Sequence, residues 1–390
     1  MSLSWDRKLL IGVSGLVIAL TLFGGTLSRT AATDGTIDYL KVFNEVLYLS
    51  MNNYVEAVQM DGLMEGAYRG MLESLDPNNE YLGAADYQKA AKGDTGGAAD
   101  VGLRVTKRHG YVVVLSAIPG SPAAEANVKT SDVLLTIDGH TTRLLGVWAA
   151  ERLLRGRNGS PVVLGLSPSD GGDRRDVTLT RRATPQATPS GRLAGKDVGV
   201  VRVLGLREGD ARRLDQTIAT LKGQGIKRLL LDLRGCASES IPESVGAASL
   251  FVSDGVVVTV ADRHDGDKAY KTDGRKRAWN GPLAVLVDES TSRSCEMMAA
   301  ALRDDLGAPL LGQKTWGLGT ISSLLPLPAG DGLFLATGLM QSPSGKEWNG
   351  KGLDPDFVIE GDPADSDDPQ RQKAVEYLRG MTLPAARQAA

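Results

Sequence analysis

The spacing of apolar positions changes several times along the chain, and each change marks an expected element. Residues Leu9 to Leu27 read LLIGVSGLVIALTLFGGTL without a charge, and Arg7 and Lys8 precede them. Such a run is long enough to span a bilayer as a helix. Basic residues on its amino side favour a cytoplasmic start and an exported remainder. The following SRTAATDG offers only a weak small-residue cleavage site. Residues 1–30 are therefore read as an uncleaved anchor, with a cleaved signal as the alternative. Residues 35–95 follow as a helical region. From about Ile37 to Tyr87, Leu40, Phe43, Val46, Leu47, Leu63, Ala67, Met71 and Leu72 recur mostly at spacings of three and four, until Pro77 ends the pattern. The small-residue stretch KGDTGGAAD, Lys92 to Asp100, is a hinge or linker.

From Val101 the elements become short strands bounded by turns. Val101 to Val105, Tyr111 to Leu115, Asp132 to Ile137, Val162 to Leu166 and Arg175 to Thr180 are β-like, and Leu145 to Leu154 is helical. They form a strand-rich module over residues 97–182. The stretch ATPQATPSGRLAG, Ala183 to Gly195, is a linker. A core over residues 190–362 then alternates strand and helix. Val198 to Val203, Leu229 to Leu233, Leu283 to Val287 and Leu310 to Gly312 are strands; Asp210 to Gln224 and Glu296 to Leu306 are helices. Near-continuous apolar strands suit a buried parallel sheet. Residues 363–390 are an acidic, then helical tail. The fold class expected is α/β.

Composition narrows the chemistry. The 390 residues carry 44 Lys and Arg against 47 Asp and Glu, so no basic surplus exists to hold a nucleic acid. Two cysteines and three scattered histidines exclude a zinc finger and a disulfide-framework fold. His109, His140 and His264 sit in turns or a polar loop, which argues against a Ser-His-Asp triad. The acidic loops Asp262 to Asp267 and Asp365 to Asp368 lack the ligand spacing of a calcium-binding hand. No metal and no cofactor is expected.

Several motifs, in order, carry a resemblance. Gly70-Met-Leu-Glu-Ser-Leu-Asp-Pro closes the helical region. Val101-Gly-Leu-Arg-Val, Pro119-Gly-Ser-Pro-Ala-Ala-Glu-Ala and Ser131-Asp-Val-Leu-Leu-Thr-Ile-Asp-Gly look like a PDZ domain. Leu230-Leu-Asp-Leu-Arg, Gly281-Pro-Leu-Ala-Val-Leu-Val-Asp-Glu, Ser342-Pro-Ser-Gly and Gly350-Lys-Gly-Leu-Asp-Pro-Asp look like a protease core. From about Leu40 to Gly380 the chain resembles the carboxyl-terminal processing, or tail-specific, proteases. The resemblance implies a helical amino-terminal region, an inserted PDZ domain and an α/β core with a short parallel sheet. It also implies cleavage of exported proteins gripped by their carboxyl termini.

The catalytic positions of that family, laid on this chain, are occupied by other residues. The nucleophile position in Thr291-Ser-Arg-Ser-Cys-Glu296 falls on Arg293, the general-base position in Trp316-Gly-Leu-Gly-Thr320 on Leu318, and the orienting position on Ser322. A Ser-Lys dyad needs a lysine of lowered pKa to take the serine proton, and neither arginine nor leucine supplies those roles. The oxyanion stretch is Gly235-Cys236-Ala237-Ser238-Glu239. A carboxylate there opposes a developing oxyanion. Glu239 and Arg293 are expected to pair across the emptied pocket.

Ser292 and Ser294 are the fallback nucleophiles. Neighbours on a helix start point about 100° apart, and their alternative role is helix capping. Lys314 is the nearest lysine in sequence. In the family's fold the loops of Cys236 and Cys295 converge, so either a disulfide closes the site or both are buried small hydrophobes. A bridge would enclose about 60 residues, corresponding to ~4 kcal/mol in the chain-entropy model.

The resemblance leaves Val101, Gly102, Leu103, Arg104 and Val105 as a peptide-binding loop, the alternative being that these residues merely build a strand. The loop's backbone N–H groups would capture a terminal carboxylate while the peptide adds to the sheet edge. The leading reading is an exported, anchored pseudoprotease that binds peptides. The others are an active peptidase with a rearranged nucleophile and a structural dimeric scaffold. Expected partners are protein carboxyl termini, the membrane through residues 9–27, and a second copy or an active relative. The expected location is the inner membrane with the bulk in the periplasm, or secretion after signal cleavage.

Overall fold

The computed structural model describes residues 34–183, 187–274, 277–361 and 368–381. The apolar run Leu9 to Leu27 lies outside them. Among the described residues no helix is long and apolar enough to cross a membrane. The chain divides into two units, with the boundary between Ala67 and Tyr68. Helix Asp34–Asn53 belongs to the first, and helix Met60–Leu75 crosses the boundary. Tyr39, Val42, Val46 and Tyr48 of the first helix are solvent-exposed.

In the second unit the PDZ-like module is an antiparallel sheet. Its order is Leu103–Arg108, Tyr111–Ala117, Val133–Ile137, Pro161–Ser167, Arg175–Thr180, with the short strand His140–Thr141 beside Val133–Ile137. Val101, Val112, Val114, Leu134, Ile137 and Leu164 fill its core without solvent access. Helix Pro122–Glu125 starts where Ser121 Oγ accepts the Ala124 N–H at 3.3 Å and Pro122 fixes the first φ. Gly102, at φ +78°, lies against Ser121, whose Cβ would be 2.1 Å from any added Cβ, so only glycine fits. Helix Val147–Leu154 covers the edge strand Leu103–Arg108.

The core sheet has the order Phe357–Val358, Leu310–Gly312, Leu283–Val287, Arg228–Asp232, Val198–Arg202, Ser190–Ala194. All its pairings are parallel except the last. Both faces are covered, which is why the strands carry few polar residues. Leu229, Leu231, Val285 and Val287 face a cluster shared with helices Asp210–Gly223 and Ser294–Leu306. Leu230, Ala284 and Leu286 face Ala374, Val375 and Leu378 of helix Pro369–Gly380.

Two strands stand where a linker or a helix was expected. Ser190–Ala194, in the expected linker, forms an exposed antiparallel edge on Val198–Arg202. Glu80–Leu82, in the expected helical stretch, pairs with Gly332–Gln341 in a second sheet with Val256–Asp262, Lys268–Lys271 and Thr320–Pro326. Both owe their conformation to a partner strand rather than to local periodicity.

At the carboxyl end of strand Arg228–Asp232, Arg234 is buried between two carboxylates. Its Nε and Nη2 donate to Asp232 at 2.9 and 2.7 Å, and Nη1 and Nη2 donate to Asp368 at 2.8 Å each. Nη1 also donates to Gln370 Oε1 at 3.0 Å. The cluster seats the start of helix Pro369–Gly380 on the sheet. Removing the cation leaves buried Asp232 without a cationic partner, while Asp368 keeps only Arg371. Arg234→Met is expected to cost about 3–5 kcal/mol in urea unfolding, and a loss below about 1 kcal/mol would contradict this role.

Candidate functional site

Strand and helix meet at a sharp turn on Arg293, whose φ of 58° and ψ of −127° are sparsely populated for a side-chain-bearing residue. This strand-to-helix geometry is the kind that pushes a nucleophile into a pocket. Glu296 holds it. Its Oε2 accepts the N–H of Arg293 and of Leu318, both at 2.9 Å. Its Oε1 accepts from Thr315 Oγ1 at 2.5 Å and the Gly317 N–H at 2.7 Å. One buried carboxylate thus joins the start of helix Ser294–Leu306 to the loop carrying Leu318.

The loop before Glu239 is fastened to the same turn. Ala237–Ser238 pairs in parallel with Ser292–Arg293, and the Ser292 N–H donates to Cys236 O at 2.9 Å. Cys236 and Cys295 form a disulfide with Cα atoms 6.0 Å apart. Of the two alternatives for these cysteines, the structure takes the bridge.

The Arg293 guanidinium lies 3.1 Å from Glu239, with side-chain exposures of 23% and 77%. It stands where a cleft of about 470 Å³ and a second cavity of about 320 Å³ meet, and Glu151 and Glu239 also line both. Leu318 is 8% exposed and packs with Trp316 against Val113 and Leu115 of the PDZ-like module. The Arg108 guanidinium lies over the Trp316 ring at 4.0 Å. Ser322 is exposed on the rim of the smaller cavity.

The fallback serines have other surroundings. Ser292 is wholly buried and its Oγ has no partner among the described residues. Ser294 Oγ donates to Ser238 O at 2.8 Å. Neither hydroxyl caps the helix: Arg293 occupies the cap position, and the Glu296 carboxylate takes its N–H instead. Neither cavity is lined by a lysine or a histidine among the described residues. Lys314 pairs with Asp354 at 2.9 Å. Two backbone donors of the oxyanion stretch are also engaged. The Gly235 N–H donates to Asp288 Oδ1 at 3.0 Å and the Cys236 N–H to Leu233 O at 3.0 Å.

In the PDZ-like module, Val101 and Leu103 belong to the domain core rather than to an open peptide pocket, and Val105 belongs to that core while also touching the large cleft. The notch between strand Leu103–Arg108 and helix Val147–Leu154 is only about 10 Å³, about enough for one water. The Gly102 N–H is already given to Asp100 Oδ1 at 2.8 Å. Arg104 instead reaches the large cleft.

The sequence reading missed the run Asp76-Pro-Asn-Asn-Glu80, taken there only as a helix stop. Asn78 Oδ1 accepts from Thr106 Oγ1 at 2.7 Å and from the Lys107 N–H at 3.2 Å. Asn79 Oδ1 accepts the Ala336 N–H at 2.7 Å. Glu80 accepts the Trp148 and Ala149 N–H groups at 2.9 and 3.2 Å, at the start of helix Val147–Leu154. Asn78, Asn79 and Glu80, three consecutive residues, therefore tie the PDZ-like module to the core. The available signal was an unusual density of short polar side chains after a helix end. Among the described residues no His, Cys, Asp and Glu cluster could hold a metal ion.

Residues 197–359 match peptidase family S41, and residues 99–179 match the PDZ domain family. The chain is 28% identical over 350 residues to the carboxy-terminal processing protease CtpA of Bacillus subtilis, covering 88% of this chain and 74% of that one. It is 27% identical to a carboxy-terminal-processing protease of Bartonella bacilliformis, covering 91% and 83%. With the chloroplastic carboxyl-terminal-processing peptidase 2 of Arabidopsis thaliana the identity is 30%, covering 75% and 60%. Among solved structures, the photosystem II D1 C-terminal processing protease matches with a TM-score of 0.69 at 27% identity, covering 83% of this chain and 89% of that one.

Burial pushes Glu80 and Glu296 up to about 7 and Asp288 up to about 6, in each case against hydrogen bonds that favour the charged form. Each folded-state value lies above the unfolded one, so the stability these groups contribute is complete below about pH 4. It is lost as pH rises through 6 to 7. The urea midpoint is expected to fall between about pH 5 and about pH 8, and less steeply in Glu80→Gln. Equal slopes in the two proteins would contradict this assignment.

Proposed function

Since the chain belongs to the PDZ-containing carboxyl-terminal processing protease family, we propose that it is a member that holds protein carboxyl termini without cutting them. The observation that carries this reading is the occupant of the helix-start turn. Arg293 stands there, paired with Glu239, and an arginine has no nucleophilic oxygen or thiol to attack a carbonyl. Three further features support it. Leu318 is committed to an apolar contact with the PDZ domain, no lysine or histidine lines either cavity among the described residues, and the Gly235 and Cys236 N–H groups are in use.

A rearranged peptidase using Ser292 or Ser294 fits less well. Ser292 is sealed from both cavities, and the Ser294 hydroxyl is given to a carbonyl. The protein's role is then to bind and present partners, or to withhold them from an active relative. Its place is outside the cytoplasm, tethered by residues 9–27 or released after cleavage. A disulfide at the site suits an oxidising compartment.

The test is incubation of the purified chain with an unstructured protein such as casein. No fragments are expected from the wild type, Ser292→Ala or Ser294→Ala. Hydrolysis by the wild type that either substitution abolishes would overturn the reading.

A further inference from the structure

The large cleft between the PDZ domain and the core has an unbalanced charge. Five arginines line it: Arg104 on the PDZ edge strand, Arg155 after helix Val147–Leu154, Arg202 and Arg207 from the core, and Arg293. Three carboxylates face them, and two are already engaged. Glu239 pairs with Arg293. Asp288 Oδ1 accepts from the Gly235 and Ser290 N–H groups at 3.0 Å each and from Thr291 Oγ1 at 3.1 Å.

Glu151 is left against Arg104, Arg155, Arg202 and Arg207, none of which forms an ion pair among the described residues. Arg202 Nε is buried without a hydrogen-bond partner. Burial lowers the Arg104 pKa; Glu151 and Asp100 oppose that shift, and Arg207 and Arg155 add to it. These guanidinium groups therefore share one region of space without enough anions to neutralise it.

We propose that this cleft binds an acidic peptide segment, whose carboxylates occupy Arg104, Arg155, Arg202 and Arg207. The proposal rests on the peptide-holding reading above and adds the chemistry of the segment held. Arginine is the side chain best suited to the task, because its planar fork can take a carboxylate through two parallel hydrogen bonds. A volume of about 470 Å³ lies within the range of small-ligand sites and accommodates a few residues of a chain end.

Val105, Leu115 and Leu206 supply apolar wall between the charges. A single-stranded nucleic acid is the other polyanion that arginines attract. It stacks its bases on aromatic side chains, and this cleft is lined by none.

Fluorescence anisotropy on the full chain tests the proposal. The probes are a labelled decapeptide rich in Asp and Glu towards its free carboxyl end, its Asn and Gln counterpart, and an oligothymidylate. The acidic peptide is expected to bind about tenfold tighter than the neutral one at about 0.05 M salt, with the ratio shrinking at about 0.5 M as charges are screened. The double substitution Arg155→Gln with Arg207→Gln should remove most of that ratio and leave neutral-peptide affinity unchanged. Both side chains are at least partly exposed and without ion-pair partners, so the fold does not depend on them.

Equal affinity for the two peptides would overturn the acidic preference while leaving peptide holding intact. Binding of neither would overturn both. Tighter, arginine-dependent binding of the oligothymidylate would show that the cleft selects nucleic acid instead.

Discussion

Glu296 is a carboxylate without solvent access that accepts four hydrogen bonds, three of them from backbone N–H groups. Burying a charge is tolerated only when it is this fully bonded. Those bonds fix the turn at Arg293 and the loop from Thr315 to Leu318 relative to one another. The loop position in turn brings Trp316 and Leu318 onto Val113 and Leu115 of the PDZ domain. The arrangement of the two cavities around Arg293 follows from this one carboxylate and the helix it sits on.

None of these restraints uses a catalytic group. Glu296, the Cys236–Cys295 bridge and the short parallel pairing of Ala237–Ser238 with Ser292–Arg293 hold the site in shape. Residues 293 and 318 therefore fill space and make contacts of their own, an ion pair with Glu239 in one case and an apolar seam in the other. The seam, the Thr130–Ser290 hydrogen bond at 2.6 Å and the Asn78, Asn79 and Glu80 ties set the PDZ domain beside the core and shape the arginine-lined cleft between them.

How much of this could be read from the chain depends on where the information lies. Leu283 to Val287 was readable because a strand covered on both faces is apolar throughout. Helix Asp210–Gly223 was readable because one stripe, Leu214, Ile218 and Leu221, is buried at helical spacing. Strands Glu80–Leu82 and Ser190–Ala194 were not, because each is short and takes its conformation from a partner strand, distant in sequence for the first and adjacent for the second. Arg293, Glu239 and the two cysteines could be placed together only through the resemblance, which supplies the convergence of two loops far apart in sequence. The meeting of Arg104, Arg155, Arg202 and Arg207 had no such guide. Their separation along the chain hides a juxtaposition that exists only after two domains pack.

On the proposed reading, the peptidase architecture persists around a site with no nucleophile. The most direct measurement is the intact mass of the chain after exposure to a fluorophosphonate that modifies activated serines. An unmodified mass is expected, with the Arg293–Glu239 pair in place and both neighbouring serines buried. Stoichiometric addition of one probe, lost in Ser292→Ala or Ser294→Ala, would contradict it.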